Sequence, residues 1–247
     1  MSDPDQGLRN LSHPVSRQGR VGRISPPDVS QARIRIWDAP TRLSHWLIVV
    51  LFAALWWTGE TEQLDLHRDA GYVLLGLVIF RLIWGVVGGS TARFSNFLRG
   101  PREISTYVGD LIRRRTDRSV IGHNPLGGWS VAAMLALLAA ELALGLFTVN
   151  VDGDQPGPLA RFISFDQGRA VAQWHDWVFN GLLALIALHL AAIAFHAVIK
   201  RDNLVGPMLT GAKRHAGDAA PMSPAPLWRL AAAIVVSAAI TLLIVRG

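Results

Sequence analysis

No cysteine occurs in the 247 residues. Its absence excludes disulfides, iron–sulfur clusters, thiolate zinc sites and the C-x-x-C-H attachment of haem, so any haem here is held without a covalent bond. The first 34 residues have no apolar core of the length that a secretory signal needs. They carry Pro, Ser, Gly, Asp and Arg without hydrophobic periodicity. Residues 1–36 therefore read as an uncleaved, disordered cytoplasmic tail, and the first apolar stretch acts as the insertion signal. The apolar stretches also lack the two-residue alternation of barrel strands. Acids are scarce within them, and Glu141 is the main one.

What the chain has is apolar residues in blocks. They make up 51% of the sequence, with a mean hydropathy of +0.30. They gather at 43–58, 70–88, 128–148, 174–199 and 227–245. At ~1.5 Å per residue each block approaches the ~30 Å of a bilayer core, and the first must borrow flanking residues. Backbone groups in lipid must bond within their own segment, so these are five transmembrane helices. Asp38-Ala39-Pro40-Thr41 reads as the cap and first turn of the first helix. The loop over 90–127 contains a short interfacial helix around Arg102 to Arg115 and closes in the turn Gly122-His123-Asn124-Pro125.

The net charge of +6 does not mark a nucleic-acid partner, because the basic residues follow membrane topology. Most of the 24 Lys and Arg lie before the first span, between the second and third, and after the fourth. The positive-inside rule assigns those segments to the cytoplasm, with the N-terminus inside and the C-terminus outside after five crossings. The nine Trp agree: Trp37, Trp46, Trp84, Trp129 and Trp228 fall near inner helix ends, and Trp56, Trp57, Trp174 and Trp177 near outer ends.

His45, His67, His175 and His189 lie in or at the ends of spans, where an unpartnered ring is costly. His175 and His189 are 14 residues apart, which returns to within about 40° of one helix face and advances about 21 Å. One face thus presents imidazoles at two depths. A b-type haem with two axial histidines needs a second ring at matching depth on a facing helix. The second and fourth spans both begin outside, which pairs His67 with His175 on an outer haem. His45, low on the first span, pairs with His189 on an inner one. His196, seven residues beyond His189 and on nearly the same face, competes for the inner ligand role, and otherwise lies below the haem as a propionate or quinone contact. Arg81, 14 residues after His67, reaches the inner level and either meets a haem propionate or snorkels to the headgroups. His123 sits in its turn as a headgroup, structural or quinone contact. Gly71, Gly76, Gly145 and Gly181 admit either a flat macrocycle or a neighbouring helix.

The chain resembles the prokaryotic cytochrome b561 family, which includes the b-type cytochrome subunits of nickel–iron hydrogenases, over about 37–211. The resemblance rests on Thr41-Arg42-Leu43-Ser44-His45-Trp46, on His67 opening a helix that ends Phe80-Arg81-Leu82-Ile83-Trp84-Gly85, and on Gly122-His123-Asn124-Pro125-Leu126-Gly127-Gly128. Trp174-His175, Leu188-His189, Phe195-His196 and Lys200-Arg201-Asp202-Asn203 complete it. It implies an all-α integral membrane protein of the bacterial inner membrane, a four-helix bundle with two haem b and ligands at His45, His67, His175 and His189. The linker 212–226 and a fifth, peripheral helix at 227–247 lie outside the resemblance, as does the tail. The function expected is electron transfer between the quinone pool and a periplasmic partner such as a c-type cytochrome. Alternatives are the membrane anchor of a hydrogenase-like oxidoreductase and, in a different class, a haem-free histidine-based transporter. Oxidation of superoxide at the outer haem rests on family analogy alone.

Overall fold

The computed structural model describes residues 32–113, 122–153, 155–215 and 221–246. In chain order these form β1 (Ala32–Arg35), α1 (Ala39–Glu60), α2 (Leu64–Val87), α3 (Phe94–Phe97), α4 (Pro101–Ile112) and α5 (Pro125–Gly145). A 3-10 turn (Ala160–Phe162), α6 (Phe165–Val198), α7 (Val205–Thr210), β2 (Ala212–His215) and α8 (Leu227–Arg246) follow. Among the described residues five helices, α1, α2, α5, α6 and α8, are long and apolar enough to cross a membrane. They coincide with the five expected stretches.

Local chemistry sets the helix starts. Asp38 accepts from the Thr41 amide at 2.8 Å and Pro40 stands in the first turn of α1, so the short first stretch gains its missing length on the Asp38 side. Asn124 caps α5 by accepting from Gly127, and Ser164 and Gln167 form a reciprocal capping box on α6. The 34 residues of α6 extend about 51 Å, more than the ~30 Å of hydrocarbon, so the part before Trp174 projects beyond the apolar stretch. The short helix expected in this loop, α4, begins at Pro101, and the Arg115 expected near its end lies outside the described residues.

Helices α1 and α2 pack together, α5 packs on α6 and on α2, and α8 lies against α2. Leu55, Leu74, Val78, Leu138 and Leu182 form a buried aliphatic cluster where α1, α2, α5 and α6 meet. Leu182 is midway along α6 between His175 and His189, so this cluster separates the two histidine levels. Outward side chains such as Trp57, 67% exposed, and Leu243, 73% exposed, have lipid as their natural neighbour. Small residues let the helices approach. A Cβ at Gly76 would lie 3.1 Å from Thr241 of α8, so Gly76 serves helix packing rather than a macrocycle.

One end of the bundle is clasped. Strand β1 pairs antiparallel with β2, from Ala32 opposite His215 to Arg35 opposite Ala212. The Ile36 and Trp37 amides donate to the Gly211 carbonyl at 2.8 and 3.1 Å, and Met222 donates to Arg35 at 2.9 Å. Arg42 donates to the Leu209 carbonyl, and the Trp46 indole to that of Met208 at 3.3 Å. Two expected boundaries shift as a result. The last residues of the stretch read as a tail, 32–35, are a strand, while residues 1–31 lie outside the described set. The stretch read as a linker is in part ordered too: 212–215 form β2, Met222 is buried, and Ser223 accepts from the Ser90 amide. The reason is backbone pairing between segments far apart in sequence, which carries no local periodicity.

Candidate functional site

At the end opposite the clasp, α2 and α6 bring His67 and His175 together. Their ring centres are 6.4 Å apart and their planes are close to perpendicular, at 78°. A metal–imidazole nitrogen bond of about 2.0 Å, with about 1.1 Å more to the ring centre, puts two imidazoles on opposite sides of one metal about 6.2 Å apart. The observed spacing fits that arrangement. Both rings are anchored by the nitrogen that a metal would not use. His67 Nδ1 donates to the Leu55 carbonyl of α1 at 2.9 Å, with the Thr58 hydroxyl at 3.4 Å. His175 Nδ1 donates to the Glu141 carbonyl of α5 at 3.0 Å, with the Glu141 carboxyl oxygen Oε1 at 3.2 Å. A ring whose Nδ1–H is so committed presents Nε2 as its free lone pair, the tautomer that ligation requires. Glycines make room for the rings: a Cβ at Gly59 would lie 3.3 Å from His67 Nδ1, and one at Gly145 3.3 Å from His175 Cε1.

The second level lies toward the clasped end. His45 is about 9 Å into α1 from Ala39, and His189 about 14 Å before the end of α6. His45 feels the charges of both His189 and Arg81, so these three groups share one neighbourhood. Arg81 is 5% exposed, enclosed by protein. Its guanidinium lies over the Phe94 ring at 5.4 Å and within electrostatic range of Asp38, while Nη1 has no partner. Nδ1 of His45, of His123 and of His196 are likewise buried without a partner. Several polar atoms left open in one region are costly unless something supplies acceptors. A porphyrin edge with two propionates, and the carbonyls of a quinone, have the donor and acceptor chemistry to do so. Among the described residues no three His, Cys, Asp or Glu cluster as a protein-only metal site.

Several contacts of this region carried little sequence signal, among them the one from Asp38 to Trp84. Asp38 caps α1 with one carboxylate oxygen and accepts from the Trp84 indole at 3.0 Å with the other. The four-residue helix α3 is a wedge with two rings. Phe94 lies on α2 beside Gly85, where a Cβ would come within 2.0 Å of the ring, and it supports Arg81. Phe97 and Trp37 flank His123 with ring centres 4.7 and 4.6 Å away. Only the aromatic side chains of this loop hinted at such a role, since their contacts are made across segments. Gly59 and the Glu141 backbone carbonyl were legible only after the helices had been placed side by side.

His123 lies in the turn before α5, outside the spans. Burial, then the charges of Arg81, His189 and His45, push its pKa down to about 4. The ring therefore stays neutral in the folded state at neutral pH. Between the ordinary value near 6.5 and about 4 the unfolded chain binds a proton that the folded chain refuses, so stability falls as pH falls through this window. His123→Phe keeps a ring between Trp37 and Phe97 and removes the titration. Its thermal midpoint, measured from pH 7 to 4.5, is expected to drop less with acid than that of the wild type. The difference corresponds to up to about 3 kcal/mol, and parallel acid profiles for the two proteins would refute it.

Together, the fold and these groups define a class: a membrane helix bundle that brings His67 and His175 face to face near one end, with buried histidines and open hydrogen-bonding groups toward the other. The comparisons give that class a family. The model of the family described as prokaryotic cytochrome b561 matches residues 36–211. A protein of Azotobacter chroococcum named as a probable Ni/Fe-hydrogenase B-type cytochrome subunit is 24% identical over 215 residues, covering 73% of this chain and 88% of its own. The protein of the same name from Bradyrhizobium diazoefficiens is 21% identical over 247 residues, covering 86% and 96%. No solved structure is significantly similar. The chain belongs to the prokaryotic cytochrome b561 family and is a multi-pass membrane b-type cytochrome, which implies haem b.

Proposed function

We propose that the protein carries electrons across the bacterial inner membrane by means of two bis-histidine haems, between the quinone pool and a periplasmic redox protein such as a c-type cytochrome. The observation that carries this reading is the 6.4 Å separation of the His67 and His175 rings, each held by its Nδ1. The haems supply one-electron chemistry when bound, and the chain does the rest. His67 and His175 hold the outer iron, and His45 and His189 the inner one. His45 lies within electrostatic range of His189, which supports the latter pairing. Arg81 would hold a propionate, and its bed on Phe94 keeps it in position. His196 and His123 stand at the inner edge, where their open Nδ1 atoms suit a quinone headgroup or a propionate. The cluster around Leu182 keeps water out between the levels. The Arg-rich clasped end faces the cytoplasm, with the N-terminus on that side, as the charge asymmetry favours.

A second reading is supported by the names of the relatives: a membrane anchor and electron-transfer subunit for a hydrogenase-like enzyme. Affinity purification from the native membrane separates the two readings, since stoichiometric recovery of large soluble redox subunits supports the anchor. Both readings require haem. Purified protein is expected to show a reduced-minus-oxidised spectrum of low-spin b-type haem and two haems per chain by pyridine haemochrome. Colourless, folded protein would sink both and leave the histidine-based transporter.

A further inference from the structure

Glu141 is an acid near the end of the apolar span α5, four residues before Gly145, and the electron-carrying role does not account for its side chain. It is 8% exposed, and its Oε2 has no hydrogen-bond partner. Its other carboxyl oxygen stands 3.2 Å from His175 Nδ1, beside the backbone carbonyl of the same residue at 3.0 Å. The four histidines are not treated alike in this respect. His67 Nδ1 meets the neutral Leu55 carbonyl with a hydroxyl further off, and His45 Nδ1 is buried with no acceptor. An acceptor on Nδ1–H increases the electron density at Nε2 and strengthens the ring as a ligand of electron-poor iron. Hydrogen bonding to an axial ligand is one of the levers by which a protein sets haem potential.

We propose that Glu141 is a positioning residue for the outer haem: its side chain orients the His175 ring and strengthens it as a ligand, holding the outer haem at a lower potential than the inner one. The inference rests on the di-haem reading above and adds an order to it. The inner level has the opposite surroundings, with Arg81 buried beside His45 and no acceptor on the His45 ring. A nearby positive charge stabilises reduced iron, so both differences favour electrons moving from the outer level to the inner one.

The test is spectroscopic redox titration of purified holoprotein. Glu141→Leu removes the side-chain acceptor and leaves the backbone one. It is expected to shift the lower-potential component upward by about tenfold in the oxidised-to-reduced equilibrium, about 59 mV for one electron, with the other component unmoved. Glu141→Gln preserves the shape and keeps a weaker oxygen acceptor, so it moves the same component less and guards against misfolding in the leucine variant. Electron paramagnetic resonance of the oxidised protein is expected to show a changed signal for one haem only. Repeating the leucine change in His45→Ala protein, which is expected to keep the outer haem alone, identifies the component that moves. Two-haem variants whose midpoints and resonance signals match the wild type, or a shift confined to the inner haem, overturn the role of Glu141. Wild-type protein without haem would instead overturn the reading on which it rests.

Discussion

Replacing His175 by Ala is expected to reduce the haem content of the purified protein from two per chain to one, and replacing His175 and His189 together to leave it colourless. In the proposed arrangement the two histidines are the ligands contributed by α6, about 21 Å apart on nearly the same face. Each serves one level only, so the single variants are expected to be independent, and their losses to add. The partner ring of the lost ligand does not compensate. His67 is tied through Nδ1 to α1, and a single imidazole leaves iron with an open axial position, which appears as high-spin absorption in any pigment retained. His196→Ala supplies the control for the inner level. It is expected to keep two haems and to impair only the reaction with quinone. A double variant with undiminished low-spin absorption would end the assignment, and loss of a haem in His196→Ala with retention in His189→Ala would transfer the inner ligand to His196.

Arg81→Leu is expected to weaken retention of the inner haem by about a hundredfold or more, while Arg81→Lys holds it to within about tenfold. The side chain is buried, with one nitrogen open and the Phe94 ring beneath it. A buried charge whose partner is removed costs about 3–5 kcal/mol, or about 10²–10⁴ in binding. In the proposed site the charge left unpaired would be a haem propionate. Lysine restores the positive charge and lacks only the planar fork. Haem lost to an apo-acceptor protein over time measures the effect, and the fast phase is expected to comprise one of the two haems. Equal, slow loss from the wild type and from Arg81→Leu would exclude the propionate contact.

Glycine and asparagine also show how local and long-range information divide. Asn124 and Asp38 declare themselves as helix caps because a short polar side chain before an apolar run has few other uses. Gly59 gives no such sign. Its reason is the His67 ring on the next helix, 3.3 Å from where a Cβ would be.

By itself the sequence determined the membrane class, the five spans, the spacing of the histidines along them and the family, because hydropathy and helical spacing are one-dimensional properties of the chain. It also limited chemistry, since a chain without cysteine can hold haem only by noncovalent ligands. The tertiary structure alone decided which groups stand beside the rings. Helix rotation put the Leu55 carbonyl against His67 and Glu141 against His175, and gave His45 no acceptor. It also buried Arg81 on Phe94 and paired 32–35 with 212–215. Those outcomes depend on the angle at which helices meet and on close approach at single glycines, quantities set by packing between distant segments and absent from any local pattern.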